Sequence, residues 1–180
     1  MDSSSTGNSE EGFTLREATG DDIPTIADLT VQAYIDGGHM PPQSPYVETL
    51  RNVSSRVDET FVLTTNENTD EIVAAVAALP YGHPMTEATE LGEWEFRYLA
   101  VRKDHWGQGL GTLLIAAVED KAKSHNAGRM VLRVVDDNPR AMRLYEHLGY
   151  RHQPQRDISF ESSTFPGRMI NLLLYAKDLH

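Results

Sequence analysis

Apolar and polar positions along the chain divide it into short segments of two periods. Phe13–Ala18 reads as a strand. After the Gly20-Asp21-Asp22 turn, Pro24 suits the first turn of a helix, and Ile23, Ile26, Ala27, Thr30, Ala33 and Tyr34 fall on one face of it. Gly37-Gly38 stops that helix, and Ser44-Pro45 starts a second with Tyr46, Leu50, Ser54 and Val57 on one side. Thr60–Thr65 and Glu71–Leu79 read as a hairpin joined by the polar Asn66–Asp70. Pro80–Glu90 is a loop, and Glu93–Val101 a further strand. Leu110, Leu113, Leu114, Ala117 and Val118 then fit the helical template, with Glu119, Asp120 and Lys123 left polar. Gly128 closes that region and Arg129–Val135 is β-rich. Asn138 is a good N-cap, Pro139 suits the first helical position, and Ala141, Leu144, Tyr145 and Leu148 form a stripe that ends at Gly149. Tyr150–Phe160 and Arg168–Lys177 read as two final strands around Pro166-Gly167.

The order is β-α-α-β-β-β-α-β-α-β-β. Antiparallel pairing over Thr60–Val101 makes the fold class α/β with a mixed, mostly antiparallel sheet flanked by helices. Residues 1–11, with four serines and a glycine, read as a mobile N-terminal tail, and 12–180 as one domain.

Composition narrows the function. At 180 residues, with 39% hydrophobic and 24% charged positions, the chain can bury a real core. A net charge of −11 argues against nucleic acid and against an anionic membrane surface as partners. The same charge suits a cationic amine by electrostatic steering. The absence of cysteine excludes disulfides, thiolate metal sites and a cysteine nucleophile. The longest apolar run, Ile72–Leu79, is eight residues, far short of the ~20 needed to span a bilayer. With no signal-peptide pattern at Met1, a soluble cytoplasmic protein is expected. The seven histidines show no metal spacing, and no metal is expected.

The most informative stretch is Arg102–Gly111, which follows a strand and opens a helix. Its glycines at 107, 109 and 111 allow a sharp turn and a close backbone approach. The helix N-terminus behind them offers unpaired N–H groups and a partial positive charge, a natural seat for a phosphate. No Gly-Lys-Ser/Thr ends the turn, so it is not a P-loop, and its Gly-x-Gly-x-Gly spacing is not the dinucleotide fingerprint.

Gly109 and Gly111 match the two small positions of the motif Arg/Gln-x-x-Gly-x-Gly/Ala, whose first position here is Trp106. The run from Asn138 to Tyr150 matches Asn-x-x-Ala-x-x-Leu-Tyr-x-x-Leu-Gly-Phe/Tyr. On these two motifs, and on its element order from Phe13 onward, the chain resembles the GNAT superfamily of acyl-CoA-dependent N-acetyltransferases. Glu95–Val101 resembles the fourth strand of bacterial small-molecule members.

The resemblance implies acetyl transfer from acetyl-CoA to a primary amine, by direct transfer in a ternary complex. It implies contacts to the cofactor from Leu99, Ala100, Val101, Trp106, Gly107, Gln108, Gly109, Leu110, Gly111, Thr112, Asn138 and Tyr145. Glu95 becomes the candidate base, with pairing to Arg97 as its structural alternative, and Glu93 the fallback. Tyr145 becomes the candidate acid, with core packing as its alternative. Tyr34, Tyr81 and Glu93 are candidates for the acceptor site, together with Asp36 and the Gly37–Ser44 and Tyr81–Met85 loops. The acceptor is expected to be a small-molecule amine, and a homodimer is an expectation of the resemblance alone. Two other readings stay open: a non-catalytic acyl-CoA-binding sensor or docking module, and a protein N-terminal or lysine acetyltransferase.

Overall fold

The computed structural model describes residues 9–10, 12–67 and 71–180. The expected tail therefore falls largely outside the described residues, and so does the end of the Asn66–Asp70 connection.

The strands are β1 (Ser9–Glu10), β2 (Phe13–Glu17), β3 (Thr60–Thr65), β4 (Ile72–Pro80), β5 (Glu93–Val101), β6 (Arg129–Val135), β7 (Arg151–His152), β8 (Ile158–Glu161) and β9 (Met169–Asp178). The helices are α1 (Ile23–Asp36), α2 (Tyr46–Arg51), α3 (Leu110–Ser124) and α4 (Pro139–His147). The strands form one sheet in the order β1-β2-β3-β4-β5-β6-β9-β7, with β8 also paired to β9. The expected mixed sheet is present: β5 and β6 run parallel and the other pairs antiparallel.

Two expectations need correction. The second helix was expected to reach Val57, but α2 ends at Arg51, where Asn52 leaves helical geometry at ψ 63°. Ser54 and Val57 lie beyond it, and the chain is held there instead by Arg56, whose guanidinium donates to the carbonyls of Leu50 and Asn52. The expected strand Tyr150–Phe160 is split into β7 and β8 by a turn at Pro154–Arg156, because Pro154 cannot donate to a strand ladder.

The sheet buries both faces. Leu114, Ile115 and Val118 of α3 and Tyr145 of α4 pack on one side against Trp94, Phe96, Met130 and Leu132. On the other side, Ile26, Ala27 and Leu29 of α1 pack on Val62, Ile72, Ala75 and Ala100, while Val31 and Leu50 meet Ala77, Leu79 and Tyr98. β4 is buried on both faces, which its unbroken apolar run Ile72–Leu79 dictates. Among the described residues no helix is long and apolar enough to cross a membrane.

Two features shape the middle of the sheet. Ala75 faces Ala100 but Ala77 faces Arg97, so Tyr98 and Leu99 of β5 oppose Val76 alone. Tyr98 takes φ +58° in this bulge, an uncommon angle for an aromatic residue. The parallel pair β5–β6 holds register only from Glu93↔Arg129 to Glu95↔Val131, and beyond it the two strands are not paired. The far side of this gap is bridged from α3: Glu119 accepts from the Tyr150 hydroxyl at 2.8 Å and from Lys177 at 3.0 Å.

Candidate active site

A cleft of about 590 Å³ occupies the gap between β5 and β6. Leu99, Ala100 and Val101 form one wall. Trp106, Gly107, Gly109, Leu110, Gly111 and Thr112 form the end where α3 begins, and Asn138 and Tyr145 line it from α4. Every residue expected at the cofactor is thus gathered there except Gln108, which instead approaches His105 at 3.3 Å.

The local sequence explains the α3 end. Gly109 is the N-cap of α3 at φ +78°, and Gly107 has the same φ, a conformation that a side chain disfavours. A Cβ built at either would meet nothing within 4 Å, so the backbone there is bare. The first N–H groups of α3 have no intrahelical acceptor and can receive an anion. Trp106, at the position where the motif has Arg or Gln, donates its indole N–H to the Val101 carbonyl at 2.8 Å. Its ring lies 6.0 Å from the Lys103 ammonium and 5.9 Å from the Arg140 guanidinium. Two cations therefore stand at this end although Trp106 carries no charge.

Asn138 caps α4 as expected, accepting from the Ala141 N–H at 3.2 Å. It also meets the His39 ring at 3.3 Å, tying the loop after α1 to the start of α4. Tyr145 both packs in the core and lines the cleft. Its ring meets Phe96 edge-on at 5.8 Å, and burial pushes its phenol up to about 12. Its hydroxyl forms no hydrogen bond with another described residue.

The acceptor candidates divide. Tyr34 lines the cleft with Asp36 and His39, and burial raises its phenol, with the neighbouring Tyr46 and Tyr145 phenols adding to the effect. Tyr81 does not line the cleft; it is 54% exposed, at the outer end of β4. Glu93 does not line it either. Its carboxylate is held by Arg156 through two 2.9 Å bonds and accepts from the Glu90 N–H. Glu95 is 1% exposed and does not line the cleft either. Its Oε1 accepts from the Thr86 hydroxyl at 2.8 Å and the Glu87 N–H at 3.1 Å. The alternative pairing of Glu95 with Arg97 does not form, since Arg97 donates to the Met85 carbonyl at 2.6 Å and lies 3.6 Å from Glu87.

Sequence reasoning missed Arg97, Tyr98, Arg133 and Arg140 as lining residues. Arg133 did leave a signal, a charged residue inside the otherwise apolar run Met130–Val135. Tyr98 left none, because its orientation depends on a bulge against a distant strand. Arg97 and Tyr98 also line a smaller hollow of about 330 Å³ with Glu48, Met85 and Glu87, so the cleft continues toward α2.

A family model described as "Acetyltransferase (GNAT) family" matches residues 24–150. N-acetyltransferase 8B of Homo sapiens is 29% identical over 89 residues, which cover 49% of this chain and 38% of that protein. N-alpha-acetyltransferase 30 of Schizosaccharomyces pombe is 42% identical over 52 residues, covering 29% of this chain and 35% of that protein. The matches thus span little more than a third of the length of these curated relatives. Among solved structures, the ribosomal-protein-S18-alanine N-acetyltransferase from Escherichia coli superposes with a TM-score of 0.67 at 20% identity, over 93% of this chain and 94% of that one. The yncA protein from Salmonella typhimurium, solved with its cofactor acetyl-CoA, gives 0.69 at 19% identity over 94% and 95%. At such identities the likeness is one of fold.

Proposed function

This chain belongs to the GNAT acetyltransferase family, and from that premise we propose that it moves an acetyl group from acetyl-CoA to a primary amine of a small molecule, by direct transfer with both substrates bound. The observation that carries this reading is the convergence on one cleft of the bare α3 N-terminus, the unpaired edge of β5 and the Tyr145 hydroxyl.

The residues present fit the cofactor. The open N–H groups at Leu110–Thr112, with Lys103 and Arg140 beside them, suit its phosphates. The unpaired β5 edge at Leu99–Val101 offers backbone donors and acceptors to an extended amide-bearing arm, as a strand edge does to a peptide. When bound, acetyl-CoA supplies a thioester whose C–S bond breaks as the amine nitrogen forms the new C–N bond; one proton leaves nitrogen and one reaches sulfur.

The chain then has two tasks. An alkyl amine with a pKa of ~10.4 must lose a proton first, which costs about 5 kcal/mol at neutral pH. Glu95 is the proposed acceptor of that proton, through water, because it is a buried carboxylate on the same strand face as Arg97, which does line the cleft. The departing sulfur gains negative charge, and Tyr145 is proposed to donate a hydrogen bond to it.

The first test is a thermal-shift titration with acetyl-CoA, coenzyme A and ATP in parallel. A ligand at one hundred times its Kd adds about 2.7 kcal/mol of stability. Both CoA species should raise the melting midpoint and ATP should not. An amine screen by thiol release then follows, with no background from a chain that has no cysteine. No shift with either CoA species at millimolar concentration would overturn the reading.

A further inference from the structure

We propose that the acceptor amine also carries an anionic group, a carboxylate or an oxoanion of like geometry, and that Arg133 is its seat. The inference rests on the acetyltransferase reading and specifies its acceptor as an amino acid or a molecule built like one.

The position of Arg133 follows from the sheet. Met130, Leu132 and Val134 of β6 belong to the core under α3 and α4. Val131 packs on the opposite side with Ala88, Leu174 and Ala176, and by alternation Arg133 shares its face. That is the face of α1, and Arg133 lines the cleft together with Tyr34 and Arg97. The register that pairs Glu95 with Val131 brings Arg97 level with Arg133 two residues on, where the strands have parted. Two guanidinium groups thus flank the opening of the gap.

What sets Arg133 apart is its lack of partners. Its Nε is sealed from solvent and forms no hydrogen bond, and the side chain makes no ion pair among the described residues. The fold does satisfy buried guanidinium groups elsewhere. Arg56, 1% exposed, donates to the carbonyls of Thr49, Leu50 and Asn52. Arg97 has the Met85 carbonyl and Glu87. A buried donor left unmade is costly and calls for an explanation, and the terminal nitrogens of Arg133, which no described residue engages, are the donors that a ligand in the cleft can reach.

Charge within the cleft agrees. The chain carries −11 overall, yet Arg97, Arg133 and Arg140 line the cleft against Asp36 as the one lining carboxylate among the described residues. Arg140 stands beside Trp106 at the α3 end, which leaves Arg97 and Arg133 for the acceptor. A polycationic amine would be repelled there, which reverses what the net charge alone suggests. A neutral carbonyl, such as the one behind a peptide N-terminus, would leave the charge of Arg133 uncompensated. A carboxylate supplies two oxygens to the planar fork of donors, the pairing arginine serves best.

The test uses the 180-residue chain saturated with acetyl-CoA and the standard α-amino acids, each assayed beside its carboxamide by thiol release. At least one free acid should exceed its carboxamide about tenfold or more in kcat/KM. Arg133→Gln breaks no bond in the fold. It should lower kcat/KM for that acid about tenfold or more beyond any loss for the carboxamide, and leave the acetyl-CoA midpoint shift intact. Carboxamides used as well as acids, or a preference that survives Arg133→Gln, would overturn the inference while the acetyltransferase reading stands. An equal loss for all acceptors with a weakened acetyl-CoA shift would assign Arg133 to the cofactor and also overturn it. If no member of the panel turns over, the same amino acids are titrated into the CoA-loaded protein. A midpoint shift that needs both the carboxylate and Arg133 would sustain the inference, and its absence would end it.

Discussion

Tyr145 keeps its proton because burial disfavours the phenolate, which pushes the group up to about 12. A free thiol of the cysteine type ionises near ~8.5. Complete proton transfer from such a phenol to a thiolate would run uphill by about three units, or some 4 to 5 kcal/mol. In the proposed reaction Tyr145 is therefore a fixed hydrogen-bond donor to charge that develops on sulfur, with solvent completing the protonation. Tyr145→Phe should lower kcat by ~10- to 100-fold with little change in acetyl-CoA affinity. In the wild type, kcat should show no falling limb between pH 8 and about pH 11 from this residue. Glu95 is distinguished in the same experiment. Glu95→Gln keeps an oxygen for Thr86 and Glu87, so the 80–92 loop stays anchored. Its kcat should nonetheless fall about tenfold or more at neutral pH and recover as the pH approaches that of the free amine. A variant with wild-type kcat would leave the carboxylate only as the loop's anchor.

At the scale of elements, the turn into α3 is the sharpest case of a local requirement. Gly109 must hold φ +78° at the N-cap, where any other residue is strained. An added Cβ there meets no neighbouring atom, so strain alone sets the energy. Gly109→Ala should destabilise the fold by about 1 kcal/mol in urea unfolding, and weaken acetyl-CoA by placing a methyl group in the open space of the cleft it lines. This turn, the Asn138 cap and the paired strands around β4 were legible in the sequence because each is decided within a few residues. The end of α2 was not, because Arg56 holds the chain there through carbonyls as far back as Thr49. Nor was the isolation of Glu93, whose partner Arg156 comes from a turn 63 residues later. The cofactor end of the cleft is built from consecutive residues and could be read. The end proposed for the acceptor is assembled from α1, β5 and β6, and Arg133 showed only as a charge inside an apolar run until the sheet set it level with Arg97.

For the molecule as a whole, tyrosines fix the alkaline limit. Of seven tyrosines, Tyr34, Tyr46, Tyr98, Tyr145, Tyr150 and Tyr175 are all raised, each chiefly by burial. In the unfolded chain they ionise near ~10. The folded state therefore binds protons more tightly than the unfolded state above that pH. Its stability is whole below about pH 10 and falls as pH rises beyond it, by up to ~1.4 kcal/mol per pH unit for each phenol still protonated in the fold. Urea midpoints at pH 8, 9 and 11 should be nearly level between the first two and drop steeply at the third. Phenolate absorbance from these six should appear together with unfolding rather than before it.

The short seam between β5 and β6 has a mechanical meaning. A sheet joined over three residue pairs and open beyond them is a crack, with its tip at Glu95 and Val131. Whatever enters the opening acts as a wedge and loads that tip. The α3 helix rests on β3, β4 and β5, on one side of the crack, while its Glu119 grips Tyr150 and Lys177 on the other. That carboxylate is a tie-rod across the fracture. It takes in tension a force that would otherwise fall on the three residue pairs alone.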